Sequence, residues 1–388
     1  MNHISEMRKS IAIAAAMLLT ASAVLPGCSG KKGCEATAAA DTLEIANPLP
    51  IKFGDPFILH ASDGKYYMYG TSLEDGFEAF VSDNLEQWDS IGRVYQGAAE
   101  GQWNESCFWA PEVYERDGKY YMFFSANDRN NPNKEEENFK IGVAVADSPA
   151  GPFKDLMNRP LFEPEYPVID ANVLFDDASG KCYLYFSRCC YKHPVESEVA
   201  DSVKAAGLYD KVEESWVYGV ELKPDFSGIV GEPQLLLAPP TKLSDRQAEW
   251  ESRSVTKGEA PRRWTEGSYI FRHGDTYYMM YSANAFFGGN YAVGYATSKS
   301  PMGPFEKSAT NPVLSENASK GGEVVGTGHN MVFTLPSGQM ATAYHGRIAS
   351  DPKDRYVFIS PMAIDSTGTL VVDGPSTGKT PLTTSVGK

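Results

Sequence analysis

From residue 45 onward the chain alternates short apolar runs with turn residues, and no long stretch carries a helical period. Five segments share one pattern: GDPFILHASDGKYYMYGTS, APEVYERDGKYYMFFSA, DANVLFDDASGKCYLYFSR, EGSYIFRHGDTYYMMYSA and GHNMVFTLPSGQMATAYHG. Each reads as a β-hairpin: a short apolar strand, a turn with Asp-Gly or Ser-Gly chemistry, and a second, mostly aromatic-rich strand. Strand-like material follows every copy, for instance FEAFVSDNLEQWDSI, IGVAVADSPAGPF and YAVGYATSKSPMGPF. The repeating unit is therefore about four strands over roughly 40–60 residues, the size of a propeller blade. One such sheet cannot bury both of its faces, whereas a ring of five can. The pattern predicts an all-β chain folded as a five-bladed β-propeller, with four-stranded antiparallel blades around a central axis. A sandwich would give no reason for five copies in matching order. The segment ADTLEIANPLP is expected to add a ring-closing strand.

The interval between the third and fourth copies is longer than the others. It carries extra residues around 190–212 and 240–263, long by the standard of blade loops. Both insertions are expected to narrow one mouth of the ring. The run NDRNNPNKEEENFK reads as solvated surface.

Composition changes the picture at three points. The 388 residues carry 50 Asp and Glu against 35 Lys and Arg, a net charge of −15. An acidic chain with no basic stripe repels a phosphate backbone, so no nucleic-acid partner is expected. The 21 Tyr against 6 Trp suit strands and polar clefts. The start, MRKSIAIAAAMLLTASAVLPGC, has a basic segment, an apolar stretch too short to span a bilayer, then small residues and a cysteine. It reads as an export signal over residues 1–27, with Cys28 resembling a lipid-attachment cysteine and 28–42 a tether. Residues 43–388 then form a single propeller domain. The expected location is periplasmic or cell-surface, with membrane association through the lipid anchor only. The remaining five cysteines show no CxxC and no zinc spacing, and read as free or structural thiols.

Where the first strand of each copy begins, polar residues recur: Asp55, Asp170, Glu266 and His329. In a propeller these strand starts line the axis and converge on one mouth. Three carboxylates in one cleft suit acid–base cleavage of a glycosidic bond. One stays protonated and donates to the leaving oxygen, one is ionised and activates water, and a third tunes the acid. Trp109 stands beside this mouth and offers a broad face for a sugar ring. Phe286 and Phe287, in NAFFGGN, are expected to wall the sugar pocket. Arg188, His345 and Arg347, at strand ends, are expected to reach sugar hydroxyls. Glu112 reads as a structural carboxylate between blades.

The ordered set FGDPFIL, FWAPEVY, VIDANVLFD, TEGSYIF and GTGHNMVF resembles the family 43 glycoside hydrolases over roughly residues 45–370. These are five-bladed propellers that act on arabinose- and xylose-containing polysaccharides. The resemblance implies Asp55 as general base, Asp170 as the residue that orients and tunes the acid, Glu266 as general acid, and inversion at the anomeric carbon. It also implies a structural calcium on the axis near His329, with no cofactor needed for the chemistry. The implied partner is an oligosaccharide or polysaccharide, taken by an exo-acting α-L-arabinofuranosidase or β-xylosidase. The alternatives are an endo-arabinanase or another pentan- or galactan-directed hydrolase of the same family, and a non-catalytic carbohydrate-binding propeller lipoprotein.

Overall fold

The computed structural model describes residues 42–384. The export segment, Cys28, the tether and Cys34 lie outside the described residues. Five antiparallel sheets of the predicted kind are present, each with its first four strands in chain order. Blade 1 comprises Gly54–His60, Tyr66–Thr71, Gly76–Ser82 and Asp89–Gln96. Blade 2 comprises Asn104–Arg116, Lys119–Asp128, Phe139–Ala146 and Lys154–Asp155. Blade 3 comprises Val168–Asp176, Lys181–Arg188, Glu213–Leu222 and Ile229–Leu237, and a fifth strand, Arg262–Trp264, pairs with Glu213–Leu222 in parallel. Blade 4 comprises Glu266–His273, Thr276–Ala283, Ala292–Ser298 and Glu306–Lys307. Blade 5 comprises Val324–Thr334, Met340–Ile348, Asp351–Ile364 and Leu370–Val372.

The segment expected to close the ring does form a strand, Thr42–Asn47, but it pairs with Gly378–Thr383 near the other end of the chain rather than joining a blade. Asn47 fastens this ribbon to blade 5: its side chain donates to the Ile359 carbonyl at 2.7 Å and accepts the Ile359 N–H at 3.0 Å. The aromatic second strands supply the packing between blades. Met68, Tyr69, Phe123, Phe124, Met279 and Tyr281 are fully buried. Each such side chain contributes about 1.5–3 kcal/mol relative to exposure.

One local device repeats in all five blades and places the site. Near its start each first strand skips register, between Gly54 and Phe57, Trp109 and Glu112, Ile169 and Asn172, Glu266 and Tyr269, and Gly328 and Met331. The residue inside each skip is left-handed: Asp55 (φ 55°), Ala110 (45°), Asp170 (59°), Gly267 (54°) and His329 (48°). Four of these are not glycine, and each such conformation costs on the order of 1–3 kcal/mol unless its surroundings hold it. A side chain on the second strand of the preceding blade does so. The N–H of Ala110 donates to Thr71 Oγ1 at 2.9 Å, that of Asp170 to Ser125 Oγ at 3.0 Å, that of Gly267 to Ser187 Oγ at 3.3 Å, and that of His329 to Ser282 Oγ at 2.8 Å. Blade 5 closes the circle onto blade 1 with an imidazole: the Asp55 N–H donates to His345 Nδ1 at 3.2 Å. Each bulge re-aims a side chain toward the axis.

Candidate active site

The bulges bring Asp55, Asp170 and Glu266 to one cavity of about 190 Å³, as their strand positions predict. Asp55, Asp170 and His329 occupy the left-handed position itself. Trp109 and Glu266 stand one residue earlier, because Ala110 and Gly267 fill that position in blades 2 and 4. Gly267 also sits against a neighbour: a Cβ there would lie 3.0 Å from His329 Nδ1.

The three carboxyls have different surroundings. Asp55 Oδ1 faces Arg355 Nη1 at 2.9 Å, with His329 Nδ1 and His345 Nδ1 each at 3.4 Å. Its Oδ2 accepts from the Thr71 hydroxyl at 2.6 Å. Burial alone would push this carboxyl up; the Arg355 guanidinium, helped by His329, outweighs it and holds Asp55 well below the usual carboxylate range. Asp170 Oδ2 accepts from the Ser187 hydroxyl and from the Gly267 N–H, both at 3.1 Å. Burial raises it, and the Asp55 charge adds to the rise, while His329 and the two hydrogen bonds oppose it. Glu266 has one donor, the Tyr291 hydroxyl at 3.0 Å from Oε1. Burial, and after it the Asp170 charge, hold Glu266 well above its ordinary value. The cluster thus holds one carboxyl low and another high, the separation that acid–base catalysis requires.

His345 is fully buried and its ring stacks on Tyr291 at 5.5 Å. Burial pushes its pKa down to about 4. The neutral ring fits its role, because only an unprotonated Nδ1 can accept the Asp55 N–H.

Trp109, Phe286 and Phe287 line the cavity as expected, with Phe286 and Phe287 43% and 53% exposed at its rim. Three expected sugar contacts do not line it. His345 lies beneath Asp55. Arg188 is turned onto the face of Tyr166, 4.6 Å from the ring centroid. Arg347 spends its guanidinium on the carbonyls of Pro352 and Lys353, at 2.7 and 2.9 Å, and approaches that of Phe286 at 3.5 Å. Glu112 is structural: it accepts from Tyr114 and, at 2.9 Å, from Asn172 in the seam between blades 2 and 3.

Sequence reasoning missed Arg355, Tyr291, Tyr191, Trp264 and Arg262, all of which line the cavity. The two insertions do wall it, through Cys190, Tyr191 and Arg262. The charged loop read as solvated surface takes part as well: Glu136 lies 3.6 Å from Arg262, and Glu135 lies 3.7 Å from Lys192. Arg262 also pairs with Glu213 at 3.0 Å and covers the ring of Tyr191 at 4.7 Å.

The calcium implied near His329 needs six to eight oxygen ligands. Among the described residues no group of three or more His, Cys, Asp or Glu side chains is arranged to hold an ion. The carboxylate nearest His329, Asp55, already faces the Arg355 cation. These side chains alone do not supply that set of oxygens, and water would have to complete it.

The sequence model of the Glycosyl hydrolases family 43 matches residues 45–370. A solved structure, a thermostable family-43 glycoside hydrolase, is 32% identical with a TM-score of 0.71, over 86% of this chain and 96% of that one. A xylosidase/arabinosidase of Bacteroides ovatus is 28% identical over 269 residues, 65% of this chain and 75% of that protein. An extracellular endo-alpha-(1->5)-L-arabinanase of Bacillus subtilis is 28% identical over 286 residues, 69% of this chain and 52% of that protein. With the five blades and the match across nearly all of them, the chain belongs to family 43 of the glycosyl hydrolases and is an O-glycosyl hydrolase.

Proposed function

We propose that this hydrolase removes a terminal pentose from arabinose- or xylose-containing glycans with inversion, as an exo-acting α-L-arabinofuranosidase or β-xylosidase. The observation that carries the reading is one cavity of about 190 Å³ holding Asp55, Asp170 and Glu266 together. A space of that size is suited to one sugar ring rather than a run of them. Relatives named for xylosidase, arabinosidase and arabinanase activities support the substrate class. Those names include endo-acting enzymes, and the enclosure of the cavity by the blade 3 insertions favours the exo mode.

In this reading Asp55, held ionised by Arg355, takes a proton from water as that water attacks the anomeric carbon. Glu266, held protonated, delivers its proton to the departing oxygen. Asp170 keeps Glu266 protonated through its charge and shares the Gly267 N–H that fixes the turn. Trp109 and Trp264 offer faces to the ring, and Phe286 and Phe287 form the rim where the leaving portion exits. The basic and apolar start ending at Cys28 supports export and lipid anchoring, which would set the enzyme among extracellular or periplasmic glycans.

The test is to digest arabino- and xylo-oligosaccharides and follow product size and anomer by proton NMR. Release of single pentoses in the inverted configuration is expected. Internal cleavage giving a ladder of oligomers would replace the exo reading with the arabinanase one.

A further inference from the structure

The cavity wall beside Glu266 carries two adjacent thiols that the hydrolytic reading leaves unused. Cys189 and Cys190 follow directly on the strand Lys181–Arg188, and both line the cavity. In a continuing strand, neighbours face opposite sides. Here the chain leaves strand geometry and both residues border the same space. The backbone is held on either side: the Cys189 N–H donates to the Pro167 carbonyl at 2.9 Å, and the His193 N–H to the Cys190 carbonyl at 3.1 Å. Both cysteines are free and nearly buried, at 5% and 3% exposure. A third free thiol, Cys107, packs at the edge of the same apolar cluster. Cys190 and Glu266 border the same cavity.

We propose that Cys189 and Cys190 form a dithiol modification site in the sugar cavity, at which a small disulfide of the glutathione class closes the pair to a vicinal disulfide and so alters the wall beside Glu266. One thiol, as thiolate, attacks a sulfur of the small disulfide and expels one reduced small thiol. The second thiol attacks the resulting mixed disulfide and expels the other. The pair is oxidised by two electrons, the small disulfide is reduced by two, and both cysteine protons end on the two released thiols. Closure brings the sulfurs to about 2.05 Å and removes both S–H groups. The Cys190 side moves relative to Glu266, and the terminal sugar loses part of its fitted wall. The Cys190 thiol beside it and burial raise the Cys189 thiol, so attack is slow at neutral pH and quickens as pH rises. The site itself stands on the two cysteines; only its effect on turnover rests on the proposed pentosidase activity.

The experiment incubates the full chain with oxidised glutathione at about pH 8.5, where more thiolate forms, and maps peptides after acid quench. Expected is a loss of about 2 Da on the peptide bearing both cysteines, restored by dithiothreitol. The KM for an aryl pentoside should rise at least about threefold on oxidation and return on reduction, whereas the double variant C189S/C190S should show neither change. A bridge from either residue to Cys107, no bridge, or a Cys189–Cys190 bridge that leaves KM unmoved would overturn the proposal. If no pentoside is turned over in either state, the pentosidase reading fails. The proposal is then decided by mass together with the fluorescence of Trp109 and Trp264, which must change on bridging.

Discussion

Blades 1 and 4 use the same bulged strand start to present a buried carboxyl to the same cavity, yet they push its pKa in opposite directions. Asp55 is met by a guanidinium, a hydroxyl and two imidazoles. Glu266 is met by one phenol, a neighbouring aspartate and a thiol. The backbone device is generic and recurs in blades 2, 3 and 5, where it presents Trp109, Asp170 and His329. The difference lies in what the preceding blade and the carboxyl's own blade bring against each carboxyl. The proposed base and acid are thus adjacent positions of one strand start dressed in two ways, and each part of that dressing can be removed.

The largest effect comes from deleting the carboxyls themselves. Asp55→Asn is expected to lose on the order of 10²–10⁴ in kcat on natural oligosaccharides and on aryl pentosides alike, because both need an activated water. Glu266→Gln should lose a similar factor on oligosaccharides but far less on a 4-nitrophenyl pentoside, whose leaving group needs little protonation. Steady-state kinetics on the two substrate types reads the split. Equal losses for both variants on both substrates would erase the assigned difference between the blades.

The charge states can also be read without turnover. Glu266 is raised in the folded chain above its ordinary 4.5. Its contribution to stability is therefore fully present below pH ~4.5 and is lost as pH rises toward the folded value, by up to about 1.4 kcal/mol per pH unit. Glu266→Gln has no such loss. The melting temperature of the variant should gain on the wild type steadily from pH ~4.5 toward neutral, followed by thermal unfolding in matched buffers. A constant difference across that window would mean that Glu266 is ionised in the fold.

A smaller change separates Arg355 from the base it serves. A Cβ on Gly54 would fall 1.9 Å from Arg355 Cζ. Gly54→Ala therefore displaces a flexible guanidinium while leaving the reacting atoms in place. With the cation withdrawn, Asp55 rises toward ordinary carboxylate values. The acidic limb of the kcat/KM profile should move up by about one pH unit, and the alkaline limb, set by Glu266, should stay. Movement of both limbs together would show that the two carboxyls titrate as one unit.

Much of this frame was legible in the chain because it repeats. Five hairpins with one internal order give the propeller, and the polar residue at each strand start gives Asp55, Asp170, Glu266 and His329. The offset of Glu266 by one position was not legible, since it follows from which residue takes the left-handed conformation. Arg355 and Tyr291 escaped because one lies in a third strand and the other just before one, where nothing in the local pattern marks a residue as facing the axis. Their signal lies in glycines instead: Gly54 leaves room for Arg355, and Gly328, where a Cβ would fall 2.1 Å from the Tyr291 ring, leaves room for the tyrosine. Arg188 and Arg347 misled for the converse reason. A strand-end arginine near a cleft looks free in sequence, but here one is taken by an aromatic face and the other by loop carbonyls. His345 stands where the other four blades carry Thr or Ser, an alignment visible in the hairpins. Its meaning as the fifth clasp required the bulge geometry.

The smallest expected effect is the most discriminating, because it touches the acid through a single hydrogen bond. Tyr291 is buried, stacks on His345, and donates its hydroxyl to Glu266 at 3.0 Å. A donor to the carboxylate favours the ionised form, so this contact lowers Glu266 against the burial and the Asp170 charge that raise it. Tyr291→Phe keeps the ring, its stacking and the packing against Gly328, and removes the hydroxyl that donates to Glu266 and meets Ser282. The alkaline limb of kcat/KM should then move to higher pH by a fraction of a unit, with kcat falling less than about tenfold as the acid loses its orientation. Because Asp55 keeps Arg355 and Thr71, the acidic limb should not move. A shift of the acidic limb instead would mean that the Tyr291–His345 stack transmits to the base, and blades 1 and 4 would have to be treated as one coupled site rather than two separately dressed copies of the same strand start.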